Sequence, residues 1–155
     1  KTLAANLTQK HGVGVRVLPA DLAQPGAAAQ LRAALSGKDH QVDVLVNCAG
    51  VLEQGAFTGI TAAGHQQIID LNISGLTAML SAFLPGMVEQ GSGRVLNVAS
   101  VAAFQPVPTL ASYAASKAYV LSLSESLAEE LRGTGHHAVP RHHRDQYAQA
   151  GGRCQ

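Results

Sequence analysis

Ser100, Tyr113 and Lys117 stand thirteen and then four positions apart in NVASVAAFQPVPTLASYAASK. Tyr and Lys at i and i+4 on a helix share one face, one turn apart. A free phenol has a pKa of roughly 10, and an ammonium beside it stabilises the phenolate and lowers that value. Such a phenol can act as an acid or a base near neutral pH. A serine hydroxyl reached through a short loop can donate to the oxygen of a reacting alcohol or carbonyl. Alone, the pair is ordinary, because any helix can carry Tyr and Lys at this spacing. The neighbouring segments have to decide.

Those segments alternate between two periods. Residues 1–10 read as the end of a helix, with Leu3 and Leu7 on one face and Gly12 beyond as a stop. Val13, Val15 and Val17 alternate as in a strand over 13–18. A helix over 25–35 opens on Pro25, and VDVLVN (42–47) reads as a strand ending in an Asn-Cys-Ala-Gly turn. A long helix over 63–90 is expected to break near Pro85-Gly86. A buried strand over 94–98 and a helix over 112–132 follow, the latter with Val120, Leu123, Leu127 and Leu131 in a stripe and Gly133 as cap. This alternation predicts an α/β fold with a parallel sheet covered on both faces.

Composition sets the broad class. With 155 residues, 46% of them hydrophobic, the chain can form one domain with a real core. A net charge of +1 gives no field that would attract nucleic acid or a membrane surface. No uninterrupted apolar run approaches the roughly 20 residues of a membrane span, and no signal peptide is evident. Two cysteines make no disulfide framework, so a reduced, cytoplasmic protein is expected. Cys48, expected to be buried at the end of an apolar strand, reads as unreactive, because burial raises a thiol pKa. The paired histidines at 136–137 and 142–143 invite a metal, but their spacing fits no helix-borne ligand pattern, and no metal site is assigned. Residues 136–155 read instead as an irregular polar tail.

With these residues in view, the chain resembles the short-chain dehydrogenase/reductase family over residues 1–135, most of all its short-subunit dehydrogenases. The matching elements are Asp21-Leu22 after a strand, Asn47-Cys48-Ala49-Gly50, Asn72 in DLNISG, Ser100, and Tyr113 with Lys117. The resemblance implies a Rossmann-like doubly wound parallel sheet and hydride transfer between NAD or NADP and a small-molecule alcohol or carbonyl substrate. It implies that Tyr113 is the general acid or base, that Lys117 lowers its pKa and holds the nicotinamide ribose, and that Ser100 holds the substrate oxygen. Asn72 would hold a water linking Lys117 to solvent. Asp21 and the Leu22 backbone would meet the adenine, and Asn47, Ala49 and Gly50 would line the cofactor. Family members are commonly homodimers or homotetramers.

The same resemblance marks what this sequence does not contain. Nothing reads G-x-x-x-G-x-G ahead of a helix, the turn whose amides meet a pyrophosphate. The sheet is therefore expected to be partial, lacking its first two strands, with 13–18 left without a partner. On that basis the isolated chain is expected to be unstable, rearranged or dimer-dependent, and inactive. The alternative to an enzyme is an inactive family fragment or a dimerisation module. After Gly135 the family's buried strand and Pro-Gly turn are expected to be missing. A one-base frameshift over 139–145, which codon degeneracy allows to restore Cys-Pro-Gly, is one explanation that the coding DNA would test. Asp21-Leu22 also admits a plain reading as a strand end or helix cap, and Asn72 within a helix one as a tolerated kink.

Overall fold

The computed structural model describes residues 2–35, 41–132 and 136–141. In chain order the elements are α1 (Thr2–His11), α2 (Ala27–Ala34), β1 (Val44–Asn47), α3 (Ala62–Ile69), α4 (Leu76–Gln90), β2 (Gly93–Val98), α5 (Ala111–Glu130) and β3 (His136–Arg141). A π-helical segment, Asp70–Gly75, joins α3 to α4, and 3-10 turns occupy Phe57–Gly59 and Val101–Phe104.

The strands form one parallel sheet in the order β1-β2-β3. Asn47 lies opposite Asn97, and Gly93–Val98 pairs along its length with His136–Arg141. Parallel neighbours need long crossovers, and here each crossover is helical: α3 and α4 between the first two strands, α5 between the last two. The amphipathic row Leu76, Leu80, Phe83 and Met87 on α4 packs with Val120 of α5 on Leu45 and Val95 of the sheet. Leu31 and Leu35, at the end of α2, close the margin of that core.

Only one face of the sheet is covered by these helices. The alternating side chains Val44 and Val46 are 57% and 53% exposed, so the expected cover on both faces is not found among the described residues. Residues 13–18 form no strand either. Val13, Val15 and Val17 are 48%, 39% and 56% exposed, which agrees with a segment whose sheet neighbour is not among these strands.

The long helix does not break where Pro85 suggested. Pro85 lies inside α4 on its exposed side, where the unpaired carbonyl one turn earlier can meet water. The irregularity falls instead at Asp70–Gly75, one wide turn of the kind that collects at functional sites. Counted through that turn, Ala62–Gln90 is one helix of 29 residues, long and apolar enough by composition to cross a membrane, although polar residues interrupt its apolar runs. One face of it, the row Leu76, Leu80, Phe83 and Met87, is buried on the sheet.

The tail also differs from expectation, because 136–141 is a strand. Sheet pairing uses backbone groups, which His-rich sequence supplies as well as apolar sequence does. Pro140 lacks an N–H, and among the described residues β3 is an edge strand, where proline is tolerated. The rest of that stretch, 142–155, and the Gly133 cap lie outside the described residues.

Gly75 shows how tightly α4 meets the preceding loop. A Cβ there would come within 2.6 Å of the Leu22 carbonyl oxygen. Helix propensity alone favours Ala over Gly by about 1 kcal/mol. Contact with a backbone atom reverses the sign, and Gly75→Ala is expected to destabilise the fold by about 1–3 kcal/mol, as overpacking does. Urea unfolding measures it, and a more stable variant would disprove the close approach.

Candidate active site

The first turns of α5 carry Tyr113, Ser116 and Lys117. Lys117 is only 6% exposed, and its Nζ donates to the Val98 carbonyl at 2.9 Å. The same nitrogen stands 5.8 Å from the centre of the half-buried Tyr113 ring. Loss of hydration pushes the ammonium below its ordinary pKa, and the nearby Cys48 sulfur opposes that shift. The helix therefore delivers a cation to the end of β2, two residues before Ser100.

Ser100 follows β2 in extended conformation and caps the 3-10 turn Val101–Phe104. Its Oγ accepts from the Ala102 N–H at 3.2 Å. The hydroxyl proton thus remains the group that can donate elsewhere.

Asn72 sits in the π-helical segment and is 2% exposed. Its Oδ1 accepts from Val51 N at 2.9 Å, and its Nδ2 donates to the Val51 carbonyl at 2.9 Å and to Ser116 Oγ at 3.0 Å. Ser116 in turn donates to the Tyr113 carbonyl at 2.7 Å. The kink and the polar site are therefore one feature: the wide turn carries an asparagine that staples the loop after β1 to α5.

Gly50 adjoins this staple. A Cβ at Gly50 would lie 3.3 Å from Asn72 Oδ1 and 3.6 Å from Lys117 Nζ. One point beside the Gly50 backbone is thus flanked by an acceptor and a cation. Ala49 and Cys48 precede it and are exposed. The buried setting expected for Cys48 is corrected: it lies just past the last residue of β1, beyond the cover of the helices.

Asn47 closes β1, and its Nδ2 donates to Asn97 Oδ1 at 2.8 Å. Leu22 shares a small cavity with Asn47, Ala49, Leu71 and Met79, so the segment after 13–18 does reach the end of β1. Asp21 is not a helix cap, because the N-cap of α2 is Gly26 and receives no side-chain bond. It is exposed, and its carboxylate accepts from Ala23 N at 3.1 Å and Gln24 Nε2 at 3.2 Å, closing the turn before α2.

Three polar residues were not singled out from the sequence: Ser116, Asn97 and Ser124. Each had a signal. Ser116 precedes Lys117 on the core side of α5, Asn97 interrupts an apolar strand, and Ser124 lies two helical turns beyond Lys117. All three are at most 2% exposed.

The lowered Lys117 pKa has a consequence for stability. The folded chain releases this proton at a lower pH than the unfolded chain, whose lysine keeps the ordinary value of 10.5. Between those two values the unfolded state binds more protons, so stability rises with pH. The denaturant midpoint of the wild type is expected to gain on that of Lys117→Met as the pH rises toward 10.5. Parallel midpoints would show a solvated amine.

Residues 1–139 match the family described as short chain dehydrogenase. An uncharacterized oxidoreductase of Staphylococcus haemolyticus (strain JCSC1435) is 34% identical over 134 residues, 86% of this chain and 57% of the relative. The 2-dehydro-3-deoxy-L-rhamnonate dehydrogenase (NAD(+)) of Sphingomonas sp. (strain SKA58) is 37% identical over 138 residues, 84% of this chain and 51% of that protein. The solved short-chain dehydrogenase from Sphingobium yanoikuyae in complex with NADPH superposes with a TM-score of 0.83 at 35% identity, covering 91% of this chain and 55% of that one. The chain thus spans about half the length of the curated relatives it matches. A match across 139 residues, on a parallel sheet whose last crossover helix bears Tyr113 and Lys117, makes this chain a member of the short-chain dehydrogenase/reductase family of oxidoreductases, with its Rossmann-like fold.

Proposed function

We propose that this chain carries the proton-transfer half of an NAD(P)-dependent interconversion of an alcohol and a carbonyl compound. The observation that carries the reading is the buried Lys117 ammonium, bound to the Val98 carbonyl and held over the Tyr113 ring. On this face of α5, beside Lys117, Tyr113 gives its proton to a carbonyl oxygen in one direction and takes it from an alcohol in the other. Ser100, whose oxygen already accepts from Ala102, donates to the same substrate oxygen and stabilises charge gathering on it.

The residues at the end of β1 fit a nicotinamide dinucleotide. Gly50 has no side chain, and its backbone borders Lys117 Nζ, whose remaining N–H groups suit ribose hydroxyls. When bound, NAD or NADP supplies or accepts the hydride. Asn47, Ala49 and Gly50 would line it, with Leu22 beside them across the shared cavity, and Asp21 at the outer end toward the adenine. Two relatives favour these cofactors: the Sphingomonas dehydrogenase is named for NAD(+), and the Sphingobium structure holds NADPH.

Asn72 has two parts to play. Its side chain braces Val51 against Ser116, and its Oδ1 flanks the point beside Gly50 that Lys117 also borders. A water at that point would link the lysine outward, so that Asn72 completes a path for protons.

A second reading rests on a different surface. An apolar groove between α4 and α5, lined by Leu80, Leu84, Leu123 and Leu127, suits a module that pairs with another copy without catalysis. Titration with NADH and NADPH, followed by nicotinamide fluorescence, separates the two. Binding supports the enzyme, and no binding of either supports the module.

Under the enzyme reading, Tyr113→Phe is expected to lower turnover at least about 100-fold while leaving cofactor affinity within a factor of about three. Turnover equal to wild type would exclude Tyr113 as the acid. Gly50→Ala places a methyl group on the point shared by Asn72 and Lys117. It is expected to cut turnover about tenfold or more, since removal of a general acid-base path is worth at least that. An unchanged pH–rate profile in that variant would remove the proposed water.

A further inference from the structure

A second buried polar chain runs through the core behind the site, and its direction is fixed by one hydroxyl. Ser124 Oγ donates to the Val120 carbonyl at 2.6 Å. A carbonyl can only accept and a serine has one proton, so Ser124 must accept its other bond. The donor is Asn97 Nδ2, at 2.9 Å. That choice turns Asn97 Oδ1 toward β1, where it accepts from Asn47 Nδ2 at 2.8 Å. Asn47 and Asn97 are register partners across the two strands, and with Asn97 Nδ2 turned to Ser124 it is Asn97 Oδ1 that faces the Asn47 donor. Asn97 and Ser124 are 2% and 1% exposed, where an unpaired group is costly.

We infer that Ser124 is a positioning residue: through the Asn97 amide it locks Asn47, and with it the Asn47–Gly50 strand end, to the helix that carries Tyr113 and Lys117. The inference rests on the reading of that strand end as the nicotinamide dinucleotide's border. The Asn72 amide is held differently, because Val51 presents it with both an N–H and a carbonyl. Asn47 has no such backbone pair among the described contacts, and its orientation depends on the hydroxyl two residues down the chain of bonds. Loss of that hydroxyl lets the Asn97 amide turn over and present a donor to the donor of Asn47.

The test reads the amides directly. In the wild-type chain the side-chain amide protons of Asn47 and Asn97 are expected to exchange with water about tenfold more slowly than those of the exposed Gln105, the slowing set by one ordinary hydrogen bond that must open first. In Ser124→Ala the Asn47 protection is expected to vanish and NADH or NADPH affinity to fall about tenfold. Ser124→Thr, which keeps the hydroxyl, is expected to restore both, and Ser124→Cys, a weaker partner, to fall between them and to serve if the alanine variant does not fold. An Asn47 amide that exchanges as fast as Gln105 in the wild type overturns the inference whatever the variants do. So does protection that survives Ser124→Ala, or cofactor affinity that stays constant while protection is lost. Protected amides in a wild-type chain that binds neither cofactor would instead overturn the functional reading and leave the hydrogen-bond lock standing.

Discussion

A buried ammonium is the constraint around which the rest of this structure is arranged. Lys117 is taken out of water almost completely, which disfavours its charged form, and the Val98 carbonyl is the partner that offsets part of that loss. For the carbonyl to be there, β2 must end beside the first turns of α5. For the cation to be of use, the phenol one turn earlier must share its face. The Val101–Phe104 turn, capped by Ser100, then packs back on α5 and brings the serine to the same end of the sheet.

Around that cation the polar groups follow one chemical logic. Two serines of α5, at 116 and 124, each donate to a carbonyl of their own helix and therefore accept from an asparagine of another element. Serines that bond back to their own helix gain little for the helix itself. Here they convert it into a row of acceptors aimed at the π-helical segment on one side and at β2 on the other. The fold can bury two asparagines because each amide has its partners in matching polarity.

Much of this was legible from the residues alone, and the failures have physical causes. Tyr113 and Lys117 are local on one helix, so their spacing sufficed. The order of helices and strands followed from apolar periodicity, and the family from the sequence of short motifs at strand ends. The strand at 136–141 was missed because its side chains carry no apolar alternation, while its pairing is a property of the backbone. The strand read at 13–18 does not form, because alternation describes what a segment can pair with and no pairing strand is among the described residues; Cys48 is exposed because β1 ends before it, beyond the cover of the helices. Ser116, Asn97 and Ser124 escaped notice because a small polar residue among apolar ones looks the same in sequence whether it is tolerated or paired across the fold. Only long-range contact distinguishes those cases.

The π-helical segment has an arithmetic meaning for the long helix. Ile68 and Leu76, both core-facing, are eight positions apart, which on a uniform α-helix leaves them about 80° out of phase. One residue absorbed into the wide turn reduces the effective separation to seven, about two full turns, and the dephasing falls to roughly 20°. Leu80, Phe83 and Met87 then continue the corrected row. The widened turn therefore acts as a phase shifter: it swings Asn72 inward and keeps a single hydrophobic row continuous on both sides of it. Removing one residue from 70–75 would restore a regular helix with Ile68 and the row from Leu76 still in phase, and the loss would fall on the inward turn that holds Asn72 between Val51 and Ser116.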